Sequence, residues 1–113
     1  MGINIVTDKN DPLYGCYVKV LRDAGHDHYE IMLITVPQGS VFTVGERMLC
    51  MVDSVAPVYL VNAPDSNIHG CTVIRYHDYH DMCEVKVVRV PDYVSKFHLG
   101  NIEHCKYDNL IQL

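Results

Sequence analysis

Short apolar runs separated by turn-forming residues recur along the chain. Residues 17–21 alternate apolar and polar positions, and residues 29–36 form a β-branched and aliphatic run that ends at Pro37. Alternation with a period of two, and short apolar runs bounded by Pro and Gly, are typical of β-strands. No helical apolar period extends beyond about two turns. The pattern therefore predicts an all-β protein with about four to five short strands in each half.

The same pattern places the other strands. In the first half we predict strands at 41–44 and 48–52, and in the second half at 72–76, 83–90, 94–99 and 102–106. Residues 3–6 are a short apolar stretch that can add an edge strand. Residues 58–61 are predicted to be a connecting strand or the last strand of the first half. The polar residues 62–67 that follow have the composition of a linker.

Much of the first half of the sequence recurs in the second half. Gly15-Cys16, Val18, Phe42, Val44, Gly45 and Cys50 return fifty-five positions later as Gly70-Cys71, Val73, Phe97, Leu99, Gly100 and Cys105. Residues 30–37 return one position closer, as 84–91, which a single deletion in the preceding loop explains. Matched residues at a constant spacing indicate an internal duplication. We predict a first repeat at 11–57, a linker strand and loop at 58–67 and a second repeat at 68–113. We expect the repeats to pack together, because units this small bury little core alone.

Each predicted repeat opens with Gly-x-x-Val, at Gly15 and Gly70, and runs through a loop into a long central strand and two short hairpins. This arrangement resembles the Src-homology-3-like small barrels, the class that includes Tudor domains and the KOW modules of ribosomal and transcription proteins. The resemblance implies two tandem small barrels. It also implies a binding role, toward peptides, methylated side chains or nucleic acid.

Composition narrows the classes of function. The formal charge of −5, from 9 basic and 14 acidic residues, argues against binding nucleic acid through phosphate contacts. Five cysteines at isolated positions, with no secretory signal at the start, predict reduced thiols in a cytoplasmic protein. No apolar run approaches the roughly 18 residues of a membrane span. Because no catalytic or cofactor motif is evident, we predict a non-enzymatic protein that acts without a cofactor or a membrane.

The two repeats differ at positions predicted to face away from their cores. Met32 corresponds to Lys86, Val41 to Lys96, Thr43 to His98, Met48 to Glu103 and Leu49 to His104. The outer face of the first repeat is therefore apolar, and a strand is apolar on both faces only when both are covered. We expect Met32, Val41 and Met48 to lie against the second repeat, another copy of the chain in a homo-oligomer, or a partner protein.

Tyrosines and basic residues are interleaved in the second repeat. The candidates for partner binding there are Arg75, Tyr76, Tyr79, Lys86, Arg89, Tyr93 and Lys96. Aromatic and basic side chains together can stack bases and neutralise phosphates, but Tyr and Arg are also enriched at protein-binding hot spots. Given the acidic total, we predict a protein partner and keep nucleic-acid binding of the KOW or Tudor kind as the alternative.

Histidines in the second repeat give a further alternative. His77, His80 and Cys83 have the side chains that bind zinc or copper. Their spacing matches no known metal knuckle. We therefore expect the histidines to be exposed loop residues. The sequence therefore predicts a protein-interaction module, such as a small regulatory or viral accessory protein that modulates a host or cellular protein. Metal binding is the second alternative.

Overall fold

A computed structural model describes residues 2–113. The described residues contain ten β-strands and three short 3-10 helices, so the predicted all-β class is confirmed. The chain divides into two compact units, of which the first ends at Pro57 and the second spans Val58–Leu113. Each unit contains one five-stranded antiparallel sheet.

The first unit packs its core against one sheet. Its strands are β1 (Ile3–Val6), β2 (Tyr17–Gly25), β3 (His28–Leu33), β4 (Arg47–Met51) and β5 (Val55–Pro57), and a 3-10 helix at Val52–Ser54 joins the last two. The order in the sheet is β4-β3-β2-β1-β5. Val18 on β2 faces Leu33 on β3, and Val20 faces Ile31. All four are buried, because side chains two apart on a strand point to the same face.

The second unit has the same plan. Its strands are β6 (Tyr59–Val61), β7 (Thr72–Asp78), β8 (Met82–Arg89), β9 (Ile102–Lys106) and β10 (Leu110–Gln112), with 3-10 helices at Lys96–His98 and Tyr107–Asn109. The order is β10-β6-β7-β8-β9, which is the order of the first sheet written from its other edge. Val73, Val85 and Val87 form the centre of the buried face.

Backbone hydrogen bonds recur between the units at the spacing of the sequence repeat. The Val6 N–H donates to the Cys16 carbonyl at 2.9 Å, and the Val61 N–H donates to the Cys71 carbonyl at 3.0 Å. A second pair of bonds closes the turn before β4 and the turn before β9. There Leu33 donates to Glu46 at 2.9 Å, and Val87 donates to Asn101 at 3.1 Å. The matched residues therefore occupy matched places in the two sheets.

The strands predicted at 41–44 and 94–99 are wrong, because both segments are loops. The first lies between Gly39 and Gly45, whose φ angles of 78° and 90° turn the chain. In the second, residues Lys96–His98 form a 3-10 helix. Serine side chains occupy backbone donors in both loops, and such local bonds compete with strand pairing. Apolar composition alone suggested strands where the backbone has no partner strand.

The first strand of each unit is more central than the pattern predicted. Residues 3–6 form β1, which lies between β2 and β5 instead of at the edge. Residues 58–61, predicted to connect the halves or to end the first, include β6, which pairs with β7 and β10 of the second sheet. The last strand of the first unit is β5, which pairs with β1. The predicted limits 11–57 and 58–67 leave β1 and β6 outside the units in which they pair.

Replacing Ile31 tests whether the inner face holds the first unit together. Because Ile31 is fully buried, we expect Ile31→Ala to lower the free energy of unfolding by about 2–5 kcal/mol. Lys19→Ala, at an exposed position on the neighbouring strand, should change it by less than about 0.5 kcal/mol. Urea denaturation followed by circular dichroism measures both. Equal stability of the two variants would contradict this account of the core.

Candidate functional site

The predicted partner-binding residues on the strands of the first unit face opposite sides of the sheet. Met32 is half-buried, and the residues on either side of it face the core, so it lies on the outer side of β3. Met48 packs against the core cluster and lies on the inner face, not on the predicted outer face. The phase of β4 explains this, because the buried Cys50 turns Met48 inward and Leu49 outward.

The loop between β3 and β4, residues 34–46, carries Val41, the third predicted residue of the first unit. Val41 is 92% exposed, and Val44 is also exposed. Phe42, between them, is half-buried against the core of the unit. This loop therefore anchors its aromatic side chain and leaves two smaller valines in solvent.

The β8–β9 loop, residues 90–101, presents larger apolar side chains. Phe97 is 79% exposed, Tyr93 is 73% exposed and Leu99 is 51% exposed. Single exposed apolar residues are ordinary on protein surfaces. Several large ones concentrated on one loop are typical of interaction sites. This loop is therefore the strongest candidate for a partner-binding surface.

Hydrogen bonds fix the backbone of the β8–β9 loop around Phe97. The Phe97 N–H donates to Ser95 Oγ at 3.2 Å, and Asn101 Nδ2 donates to the Phe97 carbonyl at 3.0 Å. His98 Nδ1 lies 2.9 Å from Glu103 Oε1 on β9. A loop held in this way loses little conformational entropy when a partner covers it. Phe97 is therefore presented from a prearranged backbone.

Phe97 and Leu99 were missed as candidates because the repeat matches them to Phe42 and Val44. The two phenylalanines even share a backbone contact, since Phe42 N–H donates to Ser40 Oγ at 3.0 Å. Their side chains nevertheless differ, because Phe42 packs on its core and Phe97 does not. No signal in the sequence distinguishes the two positions.

Tyr93 lies over Gly70, the glycine that opens the second repeat. A Cβ at position 70 would overlap the Tyr93 hydroxyl, and it would lie 3.0 Å from Tyr93 Cζ and 3.5 Å from Pro91 Cγ. At Gly15, the matching glycine, a Cβ would meet no described heavy atom within 4 Å. Because Gly70 has no side chain, the Tyr93 ring can lie against its backbone.

Gly70→Ala should displace the Tyr93 ring, and Gly15→Ala is the matched control. Both glycines have similar positive φ angles, 85° and 83°, so each variant should lose about 1–2 kcal/mol of stability from backbone strain. Only Gly70→Ala should shift the Tyr93 ring resonances in NMR spectra. Unchanged Tyr93 resonances in Gly70→Ala would show that the ring does not depend on this contact.

Arg75 is already engaged by neighbouring side chains. Its Nη2 and Nε donate to the two carboxylate oxygens of Asp78 at 2.6 and 3.3 Å, and Nη2 also contacts the Tyr107 hydroxyl. Its guanidinium carbon lies 4.5 Å from the centre of the Tyr107 ring. The hydrogen bonds from Arg75 and Tyr107 lower the pKa of Asp78. Asp78 and Tyr107 therefore hold the Arg75 side chain in place, and Asp78 balances its charge.

The other basic candidates are spread over β8 and the loop that follows it. Lys86 is half-buried on the outer side of β8, opposite Ile102. Arg89 is exposed at the end of the same strand, beyond a register shift that follows Val87. Lys96 is exposed in the β8–β9 loop, next to Phe97. The acidic total of the chain weakens the case for a basic face that follows a nucleic-acid backbone.

The remaining tyrosine candidates lie near the β7–β8 turn. Tyr76 and Tyr79 are exposed. The Tyr79 hydroxyl donates to Glu84 Oε1, and this bond raises the pKa of Tyr79. The His77 ring lies 4.7 Å from the Tyr79 ring, edge to face. Tyr79 is thus tied to its own sheet, and Tyr76 is the more available of the two.

The structure does not bring the three candidate metal ligands together. His77 and His80 are exposed near the β7–β8 turn, whereas Cys83 is fully buried in the core. Within residues 2–113, no three His, Cys, Asp or Glu side chains are close enough to hold a metal ion. Burial also raises the pKa of the Cys83 thiol, so the thiolate that binds metal is disfavoured.

The cysteines occupy buried packing positions in the two units. All five are free, and all are buried. Burial raises the pKa of each thiol. At Cys16, Cys50 and Cys71 desolvation is the largest cause, and a nearby carboxylate raises the pKa further. A raised pKa makes a thiol a poor nucleophile near neutral pH. These residues therefore act as small apolar side chains in the two cores.

Comparisons of the chain with protein-family models, with curated proteins and with solved structures give no match. In the part of the chain that the structure describes, no helix combines the length and the apolar character that a membrane crossing requires.

The ion pair between Arg75 and Asp78 should lower the pH at which the Asp78 carboxyl titrates. Because its pKa is lowered in the folded state, the pair stabilises the fold above the ordinary Asp pKa of about 3.9, and this contribution is lost as the pH falls through the folded pKa. In an NMR titration the Asp78 carboxyl carbon should change below about pH 3.9. Arg75→Gln should move the change upward. Arg22→Gln, which removes the same charge from the first unit, should leave it in place, and an effect as large as that of Arg75→Gln would contradict a local pair.

Proposed function

We propose that the chain is a non-enzymatic protein-interaction module, made of two related Src-homology-3-like small barrels, that docks on its partner through the β8–β9 loop. The observation that carries the proposal is the exposure of Tyr93, Phe97 and Leu99 on a loop whose backbone is already fixed. The corresponding loop of the first unit exposes smaller side chains. The second unit is therefore the proposed docking unit.

The barrel part of the proposal is supported by the order of the strands. In each unit the first strand lies between the second and the last, as β1 does between β2 and β5. A 3-10 helix precedes the last strand in both units. Backbone hydrogen bonds that recur at the spacing of the sequence repeat support an origin by duplication.

A protein partner accounts for the surface better than nucleic acid does. Burying a Phe, Tyr or Leu side chain contributes about 1.5–3 kcal/mol, whereas binding to nucleic acid depends on cations grouped along a face. Arg75 is paired with Asp78, and the net charge is −5. The β8–β9 loop offers apolar area on a protein whose total charge is negative.

The nature of the partner site follows from the loop. Phe97 requires an apolar pocket, and the exposed Lys96 beside it favours carboxylates at the edge of that pocket. The five buried free thiols support a reducing compartment such as the cytoplasm. A second copy of this chain is one competing occupant of the loop, so self-association is measured before any partner is sought.

Replacing Phe97 and Leu99 tests the docking loop. We expect Phe97→Ser with Leu99→Ser to weaken binding to the purified partner by at least roughly 30-fold, the loss expected at a hot spot. Because both side chains are exposed, stability should change by less than about 1 kcal/mol. Partners are captured from a nuclease-treated lysate, identified by mass spectrometry, purified and measured by calorimetry.

The matched control places the same changes in the first unit. Val41→Ser with Val44→Ser alters the corresponding loop and should leave the affinity unchanged. Sedimentation analysis of the purified chain shows whether the loop mediates self-association instead. The proposal fails if the Phe97 and Leu99 variant binds as tightly as the original chain. It also fails if all captured material is lost on nuclease treatment.

A further inference from the structure

Two buried cysteines of the second unit face each other across neighbouring strands. Cys83 on β8 is the register partner of Cys105 on β9. Directly opposed residues in an antiparallel pair project from the same face of the sheet. Both side chains enter the core, with exposed fractions of 0% for Cys83 and 6% for Cys105. The two sulfur atoms therefore belong to one part of the core.

The Cα separation at this pair lies within the range that disulfides span. The Tyr107 N–H donates to the Asp81 carbonyl at 3.0 Å, and the Val87 N–H donates to the Asn101 carbonyl at 3.1 Å. Because hydrogen-bonded and non-hydrogen-bonded pairs alternate, Cys83 and Cys105 fall at a hydrogen-bonded position, with a Cα separation of about 5.5 Å. Disulfides span Cα separations of about 4.4–6.8 Å.

An open cavity lies against one of the two cysteines. The cavity has a volume of about 440 Å³, and its lining includes Ser66, Cys105 and Lys106. Cys83 does not line it. We therefore take Cys105 as the first thiol to meet a small oxidant and the fully buried Cys83 as the second.

We propose that Cys83 and Cys105 form a redox modification site whose substrate is a hydroperoxide. The Cys105 thiolate attacks the terminal oxygen, the O–O bond breaks, and the leaving oxygen takes up a proton, which gives a sulfenic acid on Cys105. The Cys83 sulfur then attacks the Cys105 sulfur, the S–O bond breaks, and the hydroxyl leaves as water with the Cys83 proton. Two thiols lose two electrons in total, and the O–O bond gains them. This inference does not depend on the proposed function.

The first unit lacks the pair, which makes it an internal control. The residue opposite Cys50 is Tyr29, so the position that corresponds to Cys83 holds a phenol in place of a thiol. Cys16 and Cys71 come directly before β2 and β7, outside the paired strands. The geometry therefore selects one disulfide among five cysteines.

Burial of the two thiols determines how fast they are oxidised. It raises the pKa of Cys105, with a further contribution from the neighbouring Cys83 thiol, and it raises the pKa of Cys83 as well. Because the thiolate is the reactive form, oxidation is expected to be slow near neutral pH. We therefore expect the disulfide to accumulate slowly under oxidising conditions, unlike the fast response of a peroxide sensor.

The test is oxidation of the purified full chain with hydrogen peroxide at about pH 8, followed by alkylation of the denatured protein and mass spectrometry. We expect a loss of about 2 Da and three alkylated cysteines in place of the five alkylated before oxidation. Trypsin cleaves at Lys86, Arg89 and Lys96, so the bond should join two separate peptides. Dithiothreitol should restore all five thiols.

Two variants distinguish disulfide formation between Cys83 and Cys105 from oxidation elsewhere in the chain. Cys83→Ala should abolish the crosslinked peptide and leave a sulfenic acid on Cys105 that dimedone traps. Cys50→Ala, at the corresponding position of the first unit, should leave the crosslink intact. Five alkylated cysteines after oxidation, a crosslink through any other cysteine, or oxygen adducts without a crosslink would each overturn the proposal. Mapping the bond in the unsubstituted chain gives the answer even if a variant does not fold.

Discussion

Inward packing of small β-branched and thiol side chains on one face of each sheet is the interaction on which the structure depends. In the first unit Val18 and Leu33 meet across β2 and β3, and in the second Val73 and Val87 do the same across β7 and β8. A shift of register by one residue would turn each inner side chain to solvent. The buried face therefore also fixes which residues each strand presents outward, including Met32.

The fixed register lets two similar backbones carry different surfaces. Ser40 and Ser95 hold equivalent turns, yet the phenylalanine that follows packs inward in one unit and points to solvent in the other. The same holds inside the core, where Tyr29 and Cys83 occupy equivalent sites opposite a cysteine. Each unit keeps the contacts that fold it and varies positions that the fold does not require.

The elements predicted correctly were those whose signal is local. Alternation identified β2, a short apolar run bounded by Pro and Gly identified β3, and the repeat marked Gly15 and Gly70 as matched positions. The segment 41–44 failed because apolar residues on an exposed loop have the composition of a strand, and only the missing partner strand tells them apart. Met48 was placed on the wrong face for a related reason, since the phase of β4 depends on which residue enters the core. The β1 strand was underestimated because its two partners lie far away in sequence.

The candidate site was harder to predict because its signals are not local. Phe97 matches Phe42 in residue type and spacing, so exposure separates them only in three dimensions. In the sequence Arg75 looked available for a partner. In the folded chain Asp78 and Tyr107 contact it. The opposition of Cys83 and Cys105 needs the register of β8 and β9, which the sequence does not display.

The pairing of first and last strands has a consequence for how such a chain can arise and be rearranged. In each unit the chain enters and leaves along adjacent strands, β1 beside β5 and β6 beside β10. Only Val58 separates the end of β5 from the start of β6. Units whose termini are neighbours can be copied head to tail, permuted circularly or inserted into a loop of another protein without breaking their own sheet.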